Sequence, residues 1–489
     1  MRKFGRIAFF ALLLVLMVLG ASCRACKKCG KDNGSGNGEG GGENNPPIDN
    51  PVDPNKEVEI EYWHANGSAL TVVLEQIKAS FEAKYPKYKV TLVSYGDYTT
   101  LRDTITGAIA AGVTPTAAQT YPDHVALYLQ GKSLVALDNY INDPTYGMTA
   151  EEQAQFVEGF WAEGTIYDDA GTRYAMPFNK STELMYYNKT IFDKYRWSVP
   201  QTWDQVVDIC EKFKKTNEYR TAVANYGANQ VFGMGYDSEA NLFITLTQQY
   251  GATYTSFDAN GKGVFNAFGA VAEDTAKSKA AMNWYYSEYK NGNIGTSTAF
   301  GTNYCSDAFK NGQCIMTIGS SAGATYNDGQ QSSGAKFDTA VTAVPQKDLA
   351  NGQVIQQGTN VSLFKCDTKE EELAGWLWLK HMVSYESALT WALNTSYFPI
   401  RKDVLNSEDY KNHVEGNIVL DDGTVAPGTQ SLAAKAKQAG ILQSDWFYTN
   451  IAFNGSSKAR DKAETLVQLM LYGDKTVDQA YEEVYKTLR

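Results

Sequence analysis

From residue 57 onward two hydrophobic periodicities take turns, and that alternation limits the chain to a small set of architectures. Glu57-Val58-Glu59-Ile60-Glu61-Tyr62 places an apolar residue at every second position, the pattern of a strand with one buried face. Leu70, Val73, Leu74, Ile77 and Phe81 then recur at helical spacing, and Val90 to Val93 returns to strand. Strand, helix and strand in that order predict a parallel pair with a crossover helix, hence an α/β sheet covered by helices. Thr202-Trp203-Asp204-Gln205 behind Pro200, and Thr476-Val477-Asp478-Gln479, both fit a capping box, and the second runs on through Ala480, Val484 and Leu488 as an amphipathic C-terminal helix. Residues 165–174 and 257–265 read as hairpins about Asp/Asn/Gly turns. Asp258-Ala259-Asn260-Gly261 lacks the third acidic position and distal Glu of a calcium loop, so it is read as a turn. At about 430 residues, this body is long for one domain and comfortable for two.

The residues before it have another character. Arg2, Lys3 and Arg6 precede an apolar run from Ile7 to Leu19, and Gly20-Ala21-Ser22-Cys23 follows as a small-residue cleavage site. A helix over that run rises about 20 Å against a hydrocarbon core of roughly 30 Å, so 1–22 reads as a secretory signal and not a membrane span. Leu19-Gly20-Ala21-Ser22-Cys23 resembles a bacterial lipoprotein box, with the leucine one position further back than usual; that resemblance implies lipidation of Cys23 and a bilayer as a partner. The alternative is an ordinary cleaved signal with incidental cysteines. Residues 30–56 hold almost no apolar side chain and cannot offset their backbone entropy by burial, so 23–56 is expected to be the lipidated cysteine and a disordered tether.

Net charge and cysteines narrow the partners. A balance of −11 argues against nucleic acid or an anionic membrane surface as the main partner, since both reward positive patches. Beyond Cys23, Cys26 and Cys29, the four cysteines 210, 305, 314 and 366 are too scattered for a disulfide framework, although a Cys305–Cys314 pair stays open. Cys26-x-x-Cys29 lacks a second ligand pair for zinc, and no cofactor or metal is expected.

Several short motifs run in order along the body. They are Met176-Pro177-Phe178-Asn179-Lys180-Ser181-Thr182 followed by Met185-Tyr186-Tyr187-Asn188-Lys189, with Tyr62-Trp63-His64, Tyr95-Gly96-Asp97-Tyr98, Gly319-Ser320-Ser321, Gly358-Thr359-Asn360 and Ser396-Tyr397-Phe398-Pro399-Ile400. Together they resemble the family 1 extracellular solute-binding proteins, capture subunits of ABC importers for sugars and related compounds, and within that family the members that take glycerol phosphate or oligosaccharides. The resemblance implies a two-lobed α/β fold with a ligand cleft between the lobes, lobe one being 57–177 plus 316–364 and lobe two 178–315 plus 365–489. It also implies a small-molecule ligand, a carbohydrate ahead of glycerol-3-phosphate or a glycerophosphodiester, and importer membrane subunits as partners.

Carried over position by position, the resemblance implies ligand contacts at Tyr98, Ser181, Ser320 or Ser321, Gly358 and Tyr397, and an aromatic stacking position near Tyr236. Asp123, following Pro122, stands one place beyond the family's acidic residue, and Arg460 lies within a residue of its phosphate-pairing arginine. Trp63 and His64 stand at the end of the first strand, where open α/β sheets bind ligands. Trp446 and Trp284 are candidate sugar platforms, with core packing the favoured role for Trp284.

Two enzyme readings compete with capture. Gly319-Ser320-Ser321-Ala322-Gly323 satisfies the nucleophile-elbow pattern of a hydrolase, which needs His381 or His413 downstream as its base. Asp237 and Glu239 offer an acid and a base for glycoside hydrolysis, although two residues apart on a loop is a weak indication of the required separation. Both rank below a binding protein without enzymatic activity.

Overall fold

A computed structural model describes residues 56–168, 170–420 and 424–488; the leader, Cys23 and the Gly/Asn/Pro segment to residue 55 lie outside the described residues. The opening follows its periodicity. Strands β1 (Val58–His64) and β2 (Tyr88–Ser94) are parallel, and α1 (Ser68–Lys84) between them buries Val73, Leu74, Ile77 and Phe81. Asp97 starts α2 (Tyr98–Ala111), its carboxylate accepting from the Thr100 amide at 2.8 Å. Strand β3 (Ala117–Thr120) runs parallel to β1, and α3 (Pro122–Tyr128) begins directly after it, with proline where a helix loses nothing by lacking an N–H.

The sheet then extends through β4 (Met176–Asn188), β5 (Met234–Tyr236), β6 (Ile294–Thr296), β7 (Met316–Ser320), β8 (Thr339–Thr342), β9 (Val354–Leu363) and β10 (Phe447–Tyr448). Its order is β2-β1-β3-β9-β4-β7-β5-β6, with β8 on β4 and β10 on β9. Two long strands serve both ends. Met176–Thr182 of β4 pairs with β9, whereas Glu183–Tyr187 pairs with β7; in β9, Asn360–Leu363 pairs with β3 while Gln356–Gly358 stays on β4.

Helices α4 (Glu239–Gln249), α5 (Lys369–Met382), α6 (Ser456–Tyr472) and α7 (Val477–Leu488) sort with one or other of two main apolar cores. The first joins Val58, Ile60 and Phe81 to Trp376 and Trp378 of α5; the second joins Tyr236, Phe243, Met316, Leu466 and Val484. Two cores on one sheet, bridged by β4 and β9, make a two-lobed α/β fold.

Two segments pack away from their neighbours along the chain. Segment 316–320 belongs with the second core, because β7 pairs with β5 and the far half of β4; residues 369–414 belong with the first, where Leu373 through Val414 pack. Residues 256–264 form the expected hairpin, with Asp258 Oδ1 accepting from the Asn260 and Lys262 amides at 2.8 and 2.9 Å, an Asx turn. Residues 165–174 form no strand pair among the described residues and continue a 3₁₀ turn instead. Thr476 and Gln479 complete a reciprocal capping box, whereas Gln205 reaches back to Gln201 rather than to Thr202. Cys305 and Cys314 are buried free thiols, so no bridge joins them.

Candidate functional site

The crossing strands set the floor of the site. Gly358 has φ +101°, and a Cβ there would lie 1.7 Å from the Asn179 carbonyl oxygen, so only glycine lets β9 come this close to β4. Beside it, Asn66 Oδ1 accepts from Gln119 Nε2 at 3.3 Å and from Asn179 Nδ2 at 3.1 Å, and Gln119 also donates to Thr359 at 2.8 Å. Lys180 of β4 donates to Glu163, whose carboxylate also accepts from Gln356 Nε2 at 3.0 Å and Asn360 Nδ2 at 2.9 Å. Both charges are buried; burial draws the Lys180 pKa down while the carboxylate beside it opposes that shift.

Above this floor lies a cavity of about 370 Å³ lined from both lobes. The N-terminal ends of α2 and α3 bring Tyr98, Arg102, Tyr121, Asp123 and His124; those of α4 and α6 bring Ser238, Ser457, Arg460 and Asp461, with Glu464 further along α6. Arg102 reaches across, donating to Ser457 Oγ at 3.0 Å with Asp461 at 3.9 Å, while Asp103 holds its Nε at 2.8 Å. Tyr98 and Tyr121 meet edge to face at 4.8 Å. Burial lifts both hydroxyls well above the ordinary tyrosine value and lifts Tyr397, beside Tyr98, to about 12.

Behind the wall a polar chain runs inward. Arg460 Nη2 donates to Asn241 Oδ1, Asn241 Nδ2 donates to Glu183 Oε1 at 2.9 Å, and the Tyr236 hydroxyl donates to Glu183 Oε2 at 2.5 Å. Burial pushes Glu183 up to about 7. Among the residues of the lining, His124 Nδ1, the Tyr254 hydroxyl and Thr255 Oγ1 are buried and have no hydrogen-bond partner among the described residues.

Of the residues expected from sequence, Tyr98, Asp123, Gly358 and Arg460 line this cavity. Tyr397 stands one layer out, stacked 6.0 Å from Trp391, and Tyr236 stands behind Arg460 in the polar chain. The others lie outside the lining. Ser181 is buried in β4 opposite Gln357; Ser321 Oγ accepts from the Thr182 amide at 3.2 Å, and Ser320 Oγ caps the turn at Ala322, also at 3.2 Å. His64 shares the inward face of β1 with Tyr62, which packs on Trp378, so its ring is fully buried; that burial lowers its pKa to about 4. Trp63 points the other way, donating to Glu61 at 2.8 Å and packing on Tyr95. Trp284 packs on Trp203, and Trp446 covers Gly352.

Sequence reasoning missed Arg102, His124, Glu163, Tyr254, Thr255, Asp461 and Glu464. Helical spacing carried part of this signal, since Arg102 and Glu464 each follow a named residue by four positions and therefore share its face. Tyr254 and Thr255 sit in a connection after α4, where no periodicity points.

The residues of the enzyme readings are engaged elsewhere. His381 meets Ser80 Oγ at 2.7 Å and His413 meets Lys437 Nζ at 3.2 Å, while Ser321 Oγ accepts from the Thr182 amide. Asp237 accepts from the Cys305 amide at 2.7 Å, and Glu239 from Thr296 at 2.8 Å and Gln468 at 2.9 Å.

A family model for bacterial extracellular solute-binding proteins matches residues 76–416. Over 376 residues the chain is 25% identical to the sn-glycerol-3-phosphate-binding periplasmic protein UgpB of Escherichia coli, an alignment spanning 75% of this chain and 79% of that one. The protein of the same name from Shigella dysenteriae is 24% identical over 391 residues, again spanning 75% and 79%. Among solved structures, UgpB from Mycobacterium tuberculosis in complex with glycerophosphocholine superposes with a TM-score of 0.66 at 16% identity, over 88% of this chain and 97% of that one. The GacH receptor of Streptomyces glaucescens, solved unliganded and with acarbose, gives 0.65 at 16% identity over 88% and 98%. An ABC substrate-binding protein from Listeria monocytogenes in complex with cycloalternan gives 0.65 at 19% identity over 88% and 97%. At these identities the likeness to the solved structures is one of fold.

Proposed function

The chain belongs to the bacterial extracellular solute-binding proteins, and from that premise we propose that it captures an extracellular carbohydrate and delivers it to an ABC importer by closing two lobes around it. The observation that carries the choice of solute is the balance of charge in the cleft. Asp123, Asp461 and Glu464 line it together with Arg102 and Arg460, and both guanidinium groups already donate to protein acceptors. A neutral polyol gives hydroxyl donors to such carboxylates and packs its C–H faces on Tyr98, Tyr121 and Tyr254, whereas a phosphate dianion enters against uncompensated negative charge. Because α2 and α3 come from one lobe and α4 and α6 from the other, a solute touching all four stabilises the closed form.

A glycerol phosphate ester is the second reading, favoured by Arg460 and His124 in the lining and by the sn-glycerol-3-phosphate-binding relatives. Calorimetric titration of wild type and Arg460→Ala against a sugar panel and glycerol-3-phosphate separates the two. For a neutral sugar, Arg460→Ala changes affinity by no more than about 1 kcal/mol, the net contribution of a hydrogen bond to an uncharged hydroxyl. Tight phosphoester binding that falls by about 2–5 kcal/mol in the variant would overturn the carbohydrate reading.

Anchoring completes the proposal. Cys23, after the apolar run and before a segment poor in apolar residues, is read as lipidated, with the tether holding the receptor near the membrane. Metabolic labelling with an alkyne fatty acid should mark wild type and spare Cys23→Ser. Undiminished label in the variant would move the anchor to Cys26 or Cys29, or remove it.

A further inference from the structure

We propose that Glu183 is a positioning residue that makes this cleft select uncharged solutes, holding the Arg460 guanidinium through Asn241 and offsetting its charge. This rests on the capture reading above, and on the carbohydrate preference only for which solute the offset favours. Glu183 occupies the point in β4 where pairing passes from β9 to β7, and its side chain is buried. Both carboxylate oxygens are already acceptors, one from Asn241 Nδ2 and the other from the Tyr236 hydroxyl. That fixes the Asn241 amide with its NH₂ toward Glu183, leaving its carbonyl oxygen for Arg460. Asn241 is itself buried in the first turn of α4, where its backbone amide donates to Ser238 Oγ at 3.2 Å. The relay thus ties β4, α4 and α6 together, and places a buried negative charge one amide behind the cationic group that faces the solute.

Its consequence for specificity is electrostatic. An arginine backed by a carboxylate in a low-dielectric wall keeps its N–H donors for hydroxyl oxygens while its pull on an anion is reduced. The charged and titratable groups facing Glu183 are Tyr236 and Asp237 at the end of β5, Arg460 on α6 and Tyr448 on β10. Burial raises Glu183 to about 7 against the opposing pull of Tyr236, Asn241 and Arg460. Above that value the carboxylate is charged and the offset is present; below it the proton removes the offset and an anion should bind more tightly.

The test uses the full-length chain and glycerophosphoglycerol, a phosphodiester whose charge is constant across the neutral range, with a neutral oligosaccharide panel alongside. Wild-type affinity for the diester should rise at least about threefold as pH falls from about 8 to about 6, because the buried countercharge is lost. At the upper pH, Glu183→Gln should raise the ratio of diester to sugar affinity about tenfold and abolish the pH step, and Glu183→Asp should restore the step. A pH step surviving in Glu183→Gln, or an unchanged ratio, overturns the inference. If wild type prefers the diester to every sugar, the carbohydrate reading falls while the comparison of wild type with Glu183→Gln still decides the role of Glu183. A ligand-free readout stands beside these: the Glu183 carboxyl followed by carbon NMR should titrate at higher pH in Arg460→Ala than in wild type, and an unmoved titration removes the coupling.

Discussion

Gly358→Val should leave little folded protein. The backbone at this position has φ +101°, a conformation that a β-branched residue adopts only with strain, and the new Cβ would meet the Asn179 carbonyl oxygen at 1.7 Å and the Lys180 Cα at 2.9 Å. Both obstacles are backbone atoms of β4, so no side-chain rotation relieves them. Strain and overpacking together should cost about 3–5 kcal/mol, much of the stability of an ordinary domain. Chemical denaturation of purified protein measures it, with Gly107→Ala as the control. Gly107 lies mid-helix in α2 with nothing within 4 Å of a built Cβ, so alanine there should be neutral or stabilising by about 1 kcal/mol. A Gly358→Val protein that unfolds at the same denaturant concentration as wild type would refute the account of how the crossing strands pack.

The second large effect is expected at the ion pair beneath the cleft. Lys180→Met removes the cation and leaves Glu163 buried with only Gln356 and Asn360 to stabilise it, a loss of about 3–5 kcal/mol. Glu163→Gln should also be costly, because it leaves the Lys180 ammonium buried without its carboxylate partner. The double variant Lys180→Met, Glu163→Gln removes both charges and should be more stable than either single variant. Urea unfolding of the four proteins closes the cycle. Additive losses, with no recovery in the double variant, would mean that the two side chains act independently and that the buried pair is not the unit holding β4 to the 163 turn.

The class of the fold was open to reading because it is written in local periodicity. Val58, Ile60 and Tyr62 alternate, and Val73, Leu74, Ile77 and Phe81 follow a helical repeat; the protein buries those sets as β1 and α1. Capping and turn residues likewise located the start of α7 at Thr476 and a hairpin at 257–265, which the protein forms at 256–264. His64 marks where the reading was incomplete. Its position at a strand end pointed to the ligand side, whereas the two-residue repeat of β1 puts it on the inward face with Tyr62, and burial prevailed.

Lobe membership and most of the cleft were decided in three dimensions. The chain passes between lobes along β4 and β9, and nothing in the sequence of β4 announces that Met176–Thr182 pairs with one neighbour and Glu183–Tyr187 with another. Helix α5 therefore returned to the first core and β7 joined the second, against chain order. Arg460 is legible as a charged residue on a helix, but its partner Asn241 is 219 positions away and Glu183 lies a further contact beyond. Sequence by itself determined which segments become strands and helices and which faces they bury, because those choices depend on neighbours within a few residues. Tertiary structure alone decided which polar groups share a buried wall, because hydrogen bonding and charge compensation act over a few ångströms between residues that the chain keeps far apart.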